Sequence, residues 1–193
     1  MSKKKIDEAI RKCENCTLHM LEVNDDLLQE ENGHGKLVGK EGRVSNDIMI
    51  VGLNPSGARF EGLKHPFDAN MSSTVYNAGT GFMKMLKHLG VYDHCYITNL
   101  VKCSTFDNTV STEDFNSCKE HFELELEYAK PKLILACGNQ VYEFLVTYYN
   151  NTEASIKKIY HPSYCLSYRR INEDQYLKHI ASIIVEFAEK GTK

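Results

Sequence analysis

Four short runs rich in β-branched and apolar residues, 47–52, 95–101, 132–138 and 155–160, are spaced along the chain with helix-patterned segments between them. That alternation belongs to α/β architectures and excludes a helical bundle or a pure β-sandwich. The first three runs are nearly continuous in apolar character, so both faces of those strands need cover, as in a parallel sheet held between helical layers. Helical spacing marks residues 81–89, 112–129, 140–149 and 174–189. In the last of these, Tyr176, Ile180, Ile183, Ile184 and Phe187 recur at three and four, the stripe of a helix docking on a core. The expectation is an α/β fold, a three-layer α/β/α sandwich around a central, mostly parallel four-stranded sheet. A length of 193 residues suffices for one sizeable core, so a single domain over residues 1–193 is expected. Residues 24–46, rich in Asp, Glu, Gly and Lys, read as a surface connection between an N-terminal helix with a Cys pair (residues 1–23) and the first strand.

In open α/β sheets the ligand crevice lies beyond the carboxyl ends of the strands, so the residues that follow each run are where chemistry is expected. The first run leads into Gly52-Leu53-Asn54-Pro55-Ser56-Gly57, the second through Thr98-Asn99 to Lys102-Cys103, and the fourth into His161-Pro162-Ser163-Tyr164. Taken singly, Asn54-Pro55 is a turn initiator, Asn99 a loop residue that satisfies backbone groups, and His161 a surface imidazole. A parallel sheet changes that reading, because it brings all three ends to one rim. The third run ends in Gly138-Asn139, a strand-to-helix turn where glycine supplies backbone freedom.

Seven cysteines, an odd number, argue for reduced thiols rather than a disulfide framework. The basic start Lys3-Lys4-Lys5 is followed by Ile6-Asp7-Glu8 rather than an apolar stretch, and no run is long enough to span a membrane, so a cytoplasmic, reducing location is expected. Cys13 and Cys16 flank two residues and Cys103 and Cys118 flank fourteen, a set of four thiolates from two segments. Such a set suits either a tetrahedral zinc or a 4Fe-4S cluster, and spacing leaves both open. Cys95, Cys137 and Cys165 lie in or beside strands and read as small buried hydrophobes. A net charge of −3 provides no global pull toward phosphate, which argues against a protein that coats nucleic acid and leaves a local grip open.

The order of these motifs resembles the uracil-DNA glycosylase superfamily from Cys13 to about Arg170, and is most similar to its iron-sulfur (family 4) branch. The resemblance rests on Cys13-Glu14-Asn15-Cys16, Ile97-Thr98-Asn99-Leu100-Val101-Lys102-Cys103, Cys118, Pro131-Lys132-Leu133-Ile134 and His161-Pro162-Ser163-Tyr164-Cys165-Leu166. It implies a 4Fe-4S cluster on Cys13, Cys16, Cys103 and Cys118, structural rather than redox-active, that ties the N-terminal helix to the loop after the second strand. It also implies a DNA glycosylase, acting as a monomer, that flips a damaged or modified pyrimidine out of DNA and hydrolyses its N-glycosidic bond, with uracil the first choice.

By the same resemblance Asn54 takes the place of the water-activating residue, and Gly52 and Ser56 line the base pocket. Asn99 pairs with the base edge, Phe67 stacks on the base or simply packs in the core, and His161 donates to the pyrimidine O2. Ser163, Tyr164, Leu166 and Arg169 fall in the DNA-contacting segment, with Tyr168 and Arg170 beside them. The Gly-x-Asn-Pro motif is a departure, since classical uracil enzymes carry Asp here and many iron-sulfur members carry Glu nearby. An amide accepts no proton at neutral pH, so Asn54 orients water without acting as a general base. Classical members place a tyrosine where Ser56 stands, so this pocket also admits 5-substituted pyrimidines. A glycosylase for hydroxymethylated or glucosylated cytosine in defence against phage DNA, and a catalytically silent iron-sulfur nucleic-acid-binding module, are the alternatives.

Overall fold

The computed structural model describes residues 1–16, 18, 38–55, 67, 78–105 and 109–190. In chain order the elements are α1 (Lys3–Arg11), β1 (Ile48–Gly52), α2 (Ala78–His88), a 3-10 turn (Tyr92–His94), β2 (Cys95–Asn99), α3 (Thr112–Ala129), β3 (Leu133–Cys137), α4 (Asn139–Tyr148), β4 (Ser155–Ile159), α5 (Pro162–Leu166) and α6 (Glu173–Lys190). The sheet runs β2-β1-β3-β4 and every pair is parallel, so the mostly parallel sheet expected from sequence is wholly so across these strands.

Alternate residues of the strands feed two cores. Ile48, Ile50, Ile97, Leu133 and Leu135 pack with Phe82 and Leu86 of α2 and with Tyr176 and Ile180 of α6. Met49, Val51, Tyr96, Ile134 and Ala136 face the other way, against Phe115 and Phe122 of α3 and Val141 and Leu145 of α4. The result is three layers, which explains why β1, β2 and β3 are buried at every position. Helix α1 adds to the α3 side, where Ile6 and Ile10 enclose Val38.

Local chemistry sets the ends of the elements. Ser111 accepts a hydrogen bond from the Asp114 N–H (3.1 Å) while the Asp114 carboxylate accepts from the Ser111 N–H (2.9 Å), a reciprocal cap that starts α3. The helix stops at Lys130, whose φ of 47° is left-handed. Gly138, at φ 96°, makes the turn from β3 into α4, a conformation closed to residues with a Cβ.

Two expectations need correction. The run 95–101 is strand only to Asn99. Beyond it the Leu100 and Val101 N–H groups donate to the carbonyls of Gly52 and Leu53, each at 2.9 Å, so the two strand ends stay laced together after the regular ladder stops. Residues 38–40, expected in a surface connection, instead pack on the edge of β2. Val38 is buried, and Lys40 exchanges both backbone hydrogen bonds with Ile97 at 2.8 Å. An edge strand exposes unpaired amides and carbonyls, and this bridge pairs those of Ile97. Residues 24–37 lie outside the described residues.

Candidate active site

The connections leave β1 and β3 toward opposite faces, since α2 follows β1 on one side and α4 follows β3 on the other. A crevice therefore opens at the carboxyl end between these two strands. Gly52, the last residue of β1, lies opposite Asn99, the last of β2. A Cβ built on Gly52 would stand far inside contact distance of Asn99 Oδ1, 3.0 Å from Phe67 Cζ and 3.2 Å from Phe67 Cε2. Only glycine lets the buried Asn99 amide and the Phe67 ring approach the strand end this closely.

Phe67 extends the rim toward β4. Its ring meets Phe82 edge-on at 5.4 Å between centroids and lies 6.1 Å from the His161 imidazole. Phe67 holds φ at 59°, an uncommon conformation for an aromatic residue and of the kind that collects at functional sites. His161 follows β4 and caps α5. A Cβ on Gly138 would be 3.7 Å from the Cβ of His161, which places the imidazole across the mouth of β3. The Tyr176 hydroxyl donates to the Tyr160 carbonyl at 2.6 Å and fixes the chain just before it.

The hydrogen bonding of His161 sets its chemistry. The Ser163 N–H donates to His161 Nδ1 at 3.2 Å, so Nδ1 is the unprotonated nitrogen of the neutral ring and Nε2 carries the hydrogen. Desolvation by the surrounding protein holds the imidazole pKa below its ordinary 6.5, although the residue as a whole is exposed. A neutral donor follows from both effects.

Asn54 stands two residues beyond Gly52, half-buried, on the loop after β1. Its amide NH2 donates to Thr105 Oγ1 at 2.9 Å and to the Pro55 carbonyl at 3.1 Å, which leaves Oδ1 as an acceptor. Ser56 lies outside the described residues. Past His161, Tyr164 stacks on Tyr160 at 5.2 Å and 12°, with both rings exposed. Leu166 is half-buried against the α2 and α6 core, whereas Tyr168, Arg169 and Arg170 are exposed.

Of the four candidate ligand cysteines, Cys13 and Cys16 follow α1, Cys103 lies on the segment after β2 and Cys118 on α3. Cys103 and Cys118 are buried, and Cys118 Sγ accepts the Lys102 N–H at 3.3 Å. Burial raises the Cys118 thiol pKa; the Lys102 amide and ammonium oppose that rise, and Cys13 and Cys16 are near enough to add to it. Among the described residues no three His, Cys, Asp or Glu side chains are grouped closely enough to hold a metal ion. Cys95, Cys137 and Cys165 are buried as expected.

Three residues escaped the sequence reading. Thr105, which fixes Asn54, carries no signal in the sequence. Lys102 and Glu125 form a fully buried ion pair beneath Asn99, with Nζ and Oε2 2.5 Å apart. A lysine after a strand and a glutamate inside a helix are ordinary in sequence, and only their burial singles them out.

Comparison with known proteins bears on this rim directly. The model of the Uracil DNA glycosylase superfamily matches residues 40–183, a span that holds all three strand ends. The chain belongs to the uracil-DNA glycosylase superfamily. It is therefore a DNA N-glycosylase by family. It is similar to the type-4 uracil-DNA glycosylase of Thermotoga maritima, 27% identical over 204 residues that cover 96% of this chain and 91% of that protein. It is also similar to the type-4 uracil-DNA glycosylase of Pyrobaculum aerophilum, 31% identical over 140 residues that cover 72% of this chain and 61% of that one. In fold it resembles the crystal structure of wild-type SMUG2 from Pedobacter heparinus, with a TM-score of 0.52 at 14% identity over 75% of this chain and 77% of that one. No described helix is long and apolar enough to cross a membrane.

Proposed function

We propose that this protein excises uracil from DNA, taking the nucleotide out of the stack and hydrolysing its N-glycosidic bond to leave an abasic site. The observation that carries the reading is the pairing, on one rim, of a neutral imidazole with a donor at Nε2 and a buried amide held against the end of β1. Breaking the bond to C1′ sends its electron pair to the base, and negative charge builds on the pyrimidine O2. A neutral His161 Nε2–H stabilises that charge without giving up its proton. The Asn99 amide matches O4 and N3–H of uracil in a bidentate pair, and Phe67 stacks on the ring.

Water must then add to C1′ of the oxocarbenium-like sugar, its proton passing through solvent to the departed base anion. Asn54 is suited to orient it, because its NH2 is committed to Thr105 and Pro55 and only the carbonyl oxygen faces free chemistry. No strong base is required when the leaving group is stabilised this well. Exposed Arg169 with Ser163 is suited to phosphate contact, and the Tyr160–Tyr164 stack and Tyr168 to unstacked bases. The net charge of −3 means that any grip on DNA is local to this face.

Cys13, Cys16, Cys103 and Cys118 would hold a 4Fe-4S cluster. The donor set suits it in kind, with four thiols, no disulfide among them and a backbone N–H aimed at the Cys118 sulfur, and loading the cluster would draw together sulfurs that are not grouped at ligand spacing here. When bound, the cluster would tie the N-terminal segment to the loop after β2 and take no electron in the reaction. The chain is then a single-domain, monomeric enzyme of a reducing compartment.

The experiment is an excision panel with single- and double-stranded oligonucleotides carrying one uracil, a thymine mismatch or 5-hydroxymethylcytosine, scored as alkali-labile abasic sites. Uracil cleavage above the other two is expected. DNA binding with no cleavage of any substrate would overturn the assignment.

A further inference from the structure

Lys102 and Glu125 are 1% and 0% exposed, an unusual place for two charges that touch neither solvent nor substrate. Their network is fully satisfied. The Lys102 ammonium has three hydrogens and three acceptors: Glu125 Oε2 at 2.5 Å, Thr98 Oγ1 at 2.9 Å, and the carbonyl oxygen of Asn99. The Thr98 hydroxyl donates to Glu125 Oε2 at 2.6 Å, and the other carboxylate oxygen accepts the Gly39 N–H at 3.0 Å. Such a set is expensive to bury, and well-packed apolar residues often replace a buried ion pair without loss of stability, so stability alone does not account for it.

The geometry supplies one. The peptide unit that joins Asn99 to Leu100 is held at both ends, its carbonyl by Lys102 Nζ and its N–H by the Gly52 carbonyl at 2.9 Å. Clamping that plane fixes ψ of Asn99, and with ψ the direction in which its side chain leaves the strand. An apolar contact cannot do this, because it is non-directional. An ammonium placed by a carboxylate and a hydroxyl can.

We propose that Lys102, seated by Glu125 and Thr98, is a positioning residue that aims the Asn99 amide at the base edge. This rests on the reading of Asn99 as the base-pairing side chain. The clamp acts from the side of the sheet opposite the crevice core, through the backbone, so it touches neither substrate nor C1′. It also binds the aim of Asn99 to the segment at Gly39, which the carboxylate holds from the edge of β2.

The test is a mutant cycle in the full chain. Lys102→Met with Glu125→Leu removes both charges together, so no unpaired charge is left buried. It leaves the Gly39 N–H and the Thr98 hydroxyl without their carboxylate acceptor, so it is expected to melt some degrees below wild type and, assayed well below both melting points, to bind abasic product DNA with unchanged affinity. Single-turnover uracil excision should nevertheless fall roughly tenfold or more, the scale of effect expected when a reacting partner is misaimed. Combined with Asn99→Ala, the change should lower the rate no further than Asn99→Ala alone, because both act through one side chain. Thr98→Val, which removes a single acceptor of the ammonium, should show the same non-additivity with a smaller loss and serves if the paired substitution does not fold. Wild-type excision in the folded paired variant, or losses that multiply with Asn99→Ala, would overturn the inference. Full activity in Asn99→Ala would instead overturn the role of Asn99, and the positioning role with it.

Discussion

Replacing Gly52 with alanine is the sharpest probe of the rim, because the added methyl meets two site residues at once. It would overlap Asn99 Oδ1 by more than half an ångström and press on Phe67 at 3.0 Å and 3.2 Å. The backbone has little room to give: Val51 is buried on one side, and the Gly52 carbonyl holds the Leu100 N–H at 2.9 Å on the other. The Asn99 amide must therefore rotate away. Losing one bidentate pairing with a base edge costs about 1–3 kcal/mol. At about 1.4 kcal/mol per factor of ten, kcat/KM for uracil should drop roughly 5- to 150-fold. Overpacking adds a stability loss of about 1–3 kcal/mol. For a domain of this size that lowers Tm by about 2–12 °C. Single-turnover excision at a temperature well below both melting points separates the two effects. A Gly52→Ala protein that is folded and excises uracil at the wild-type rate would refute the placement of Asn99 against the strand end.

His161→Ala should lower excision about 10²-fold, the loss of one preorganised donor, while leaving the sheet and far-UV circular dichroism unchanged. Because burial holds the His161 pKa below 6.5, the unfolded chain takes up this proton first as pH falls. The stability that the neutral ring contributes is complete above that value and is lost on acidification toward the folded pKa. Excision should follow the same course, flat above 6.5 and falling with a midpoint beneath it, which a pH-rate profile measures. Lys102→Met alone leaves the Glu125 carboxylate buried without its cation and should destabilise by about 3–5 kcal/mol, lowering Tm by about 6–20 °C in a thermal melt. Cys118→Ala should reduce iron per chain and the visible charge-transfer absorbance of purified protein, with Cys95→Ala as a control that leaves both unchanged.

Much of the fold was legible because its signals are local. The limits of α3, residues 112–129, are those that helical spacing predicts, and the structure adds what sets them, a Ser–Asp cap at the start and a left-handed Lys130 at the end. The other three predicted helices and all four strands begin within three residues of where they were expected, for a periodicity of three and four or an unbroken apolar run already states which faces are buried. Helix α5 is a single turn whose cap is the site histidine itself, too short to leave a periodicity. The motifs at the strand ends were visible as motifs, and the parallel sheet is what makes Gly52 and Asn99 neighbours and links His161 to them through Phe67.

Sequence alone determined the α/β class, because it depends on residue type and spacing, and for the same reason it pointed to the strand ends for chemistry and to the four thiols as a candidate set. Only the tertiary structure decided which nitrogen of His161 carries the hydrogen, that Thr105 commits the Asn54 NH2, and that Lys102 and Glu125 form a buried clamp behind Asn99. The last two are contacts between segments that chain order keeps apart, and the first, although it spans only two residues, depends on the exact geometry of the turn into α5. A hydrogen bond depends on fractions of an ångström and a direction, and no pattern of residue types along the chain records either.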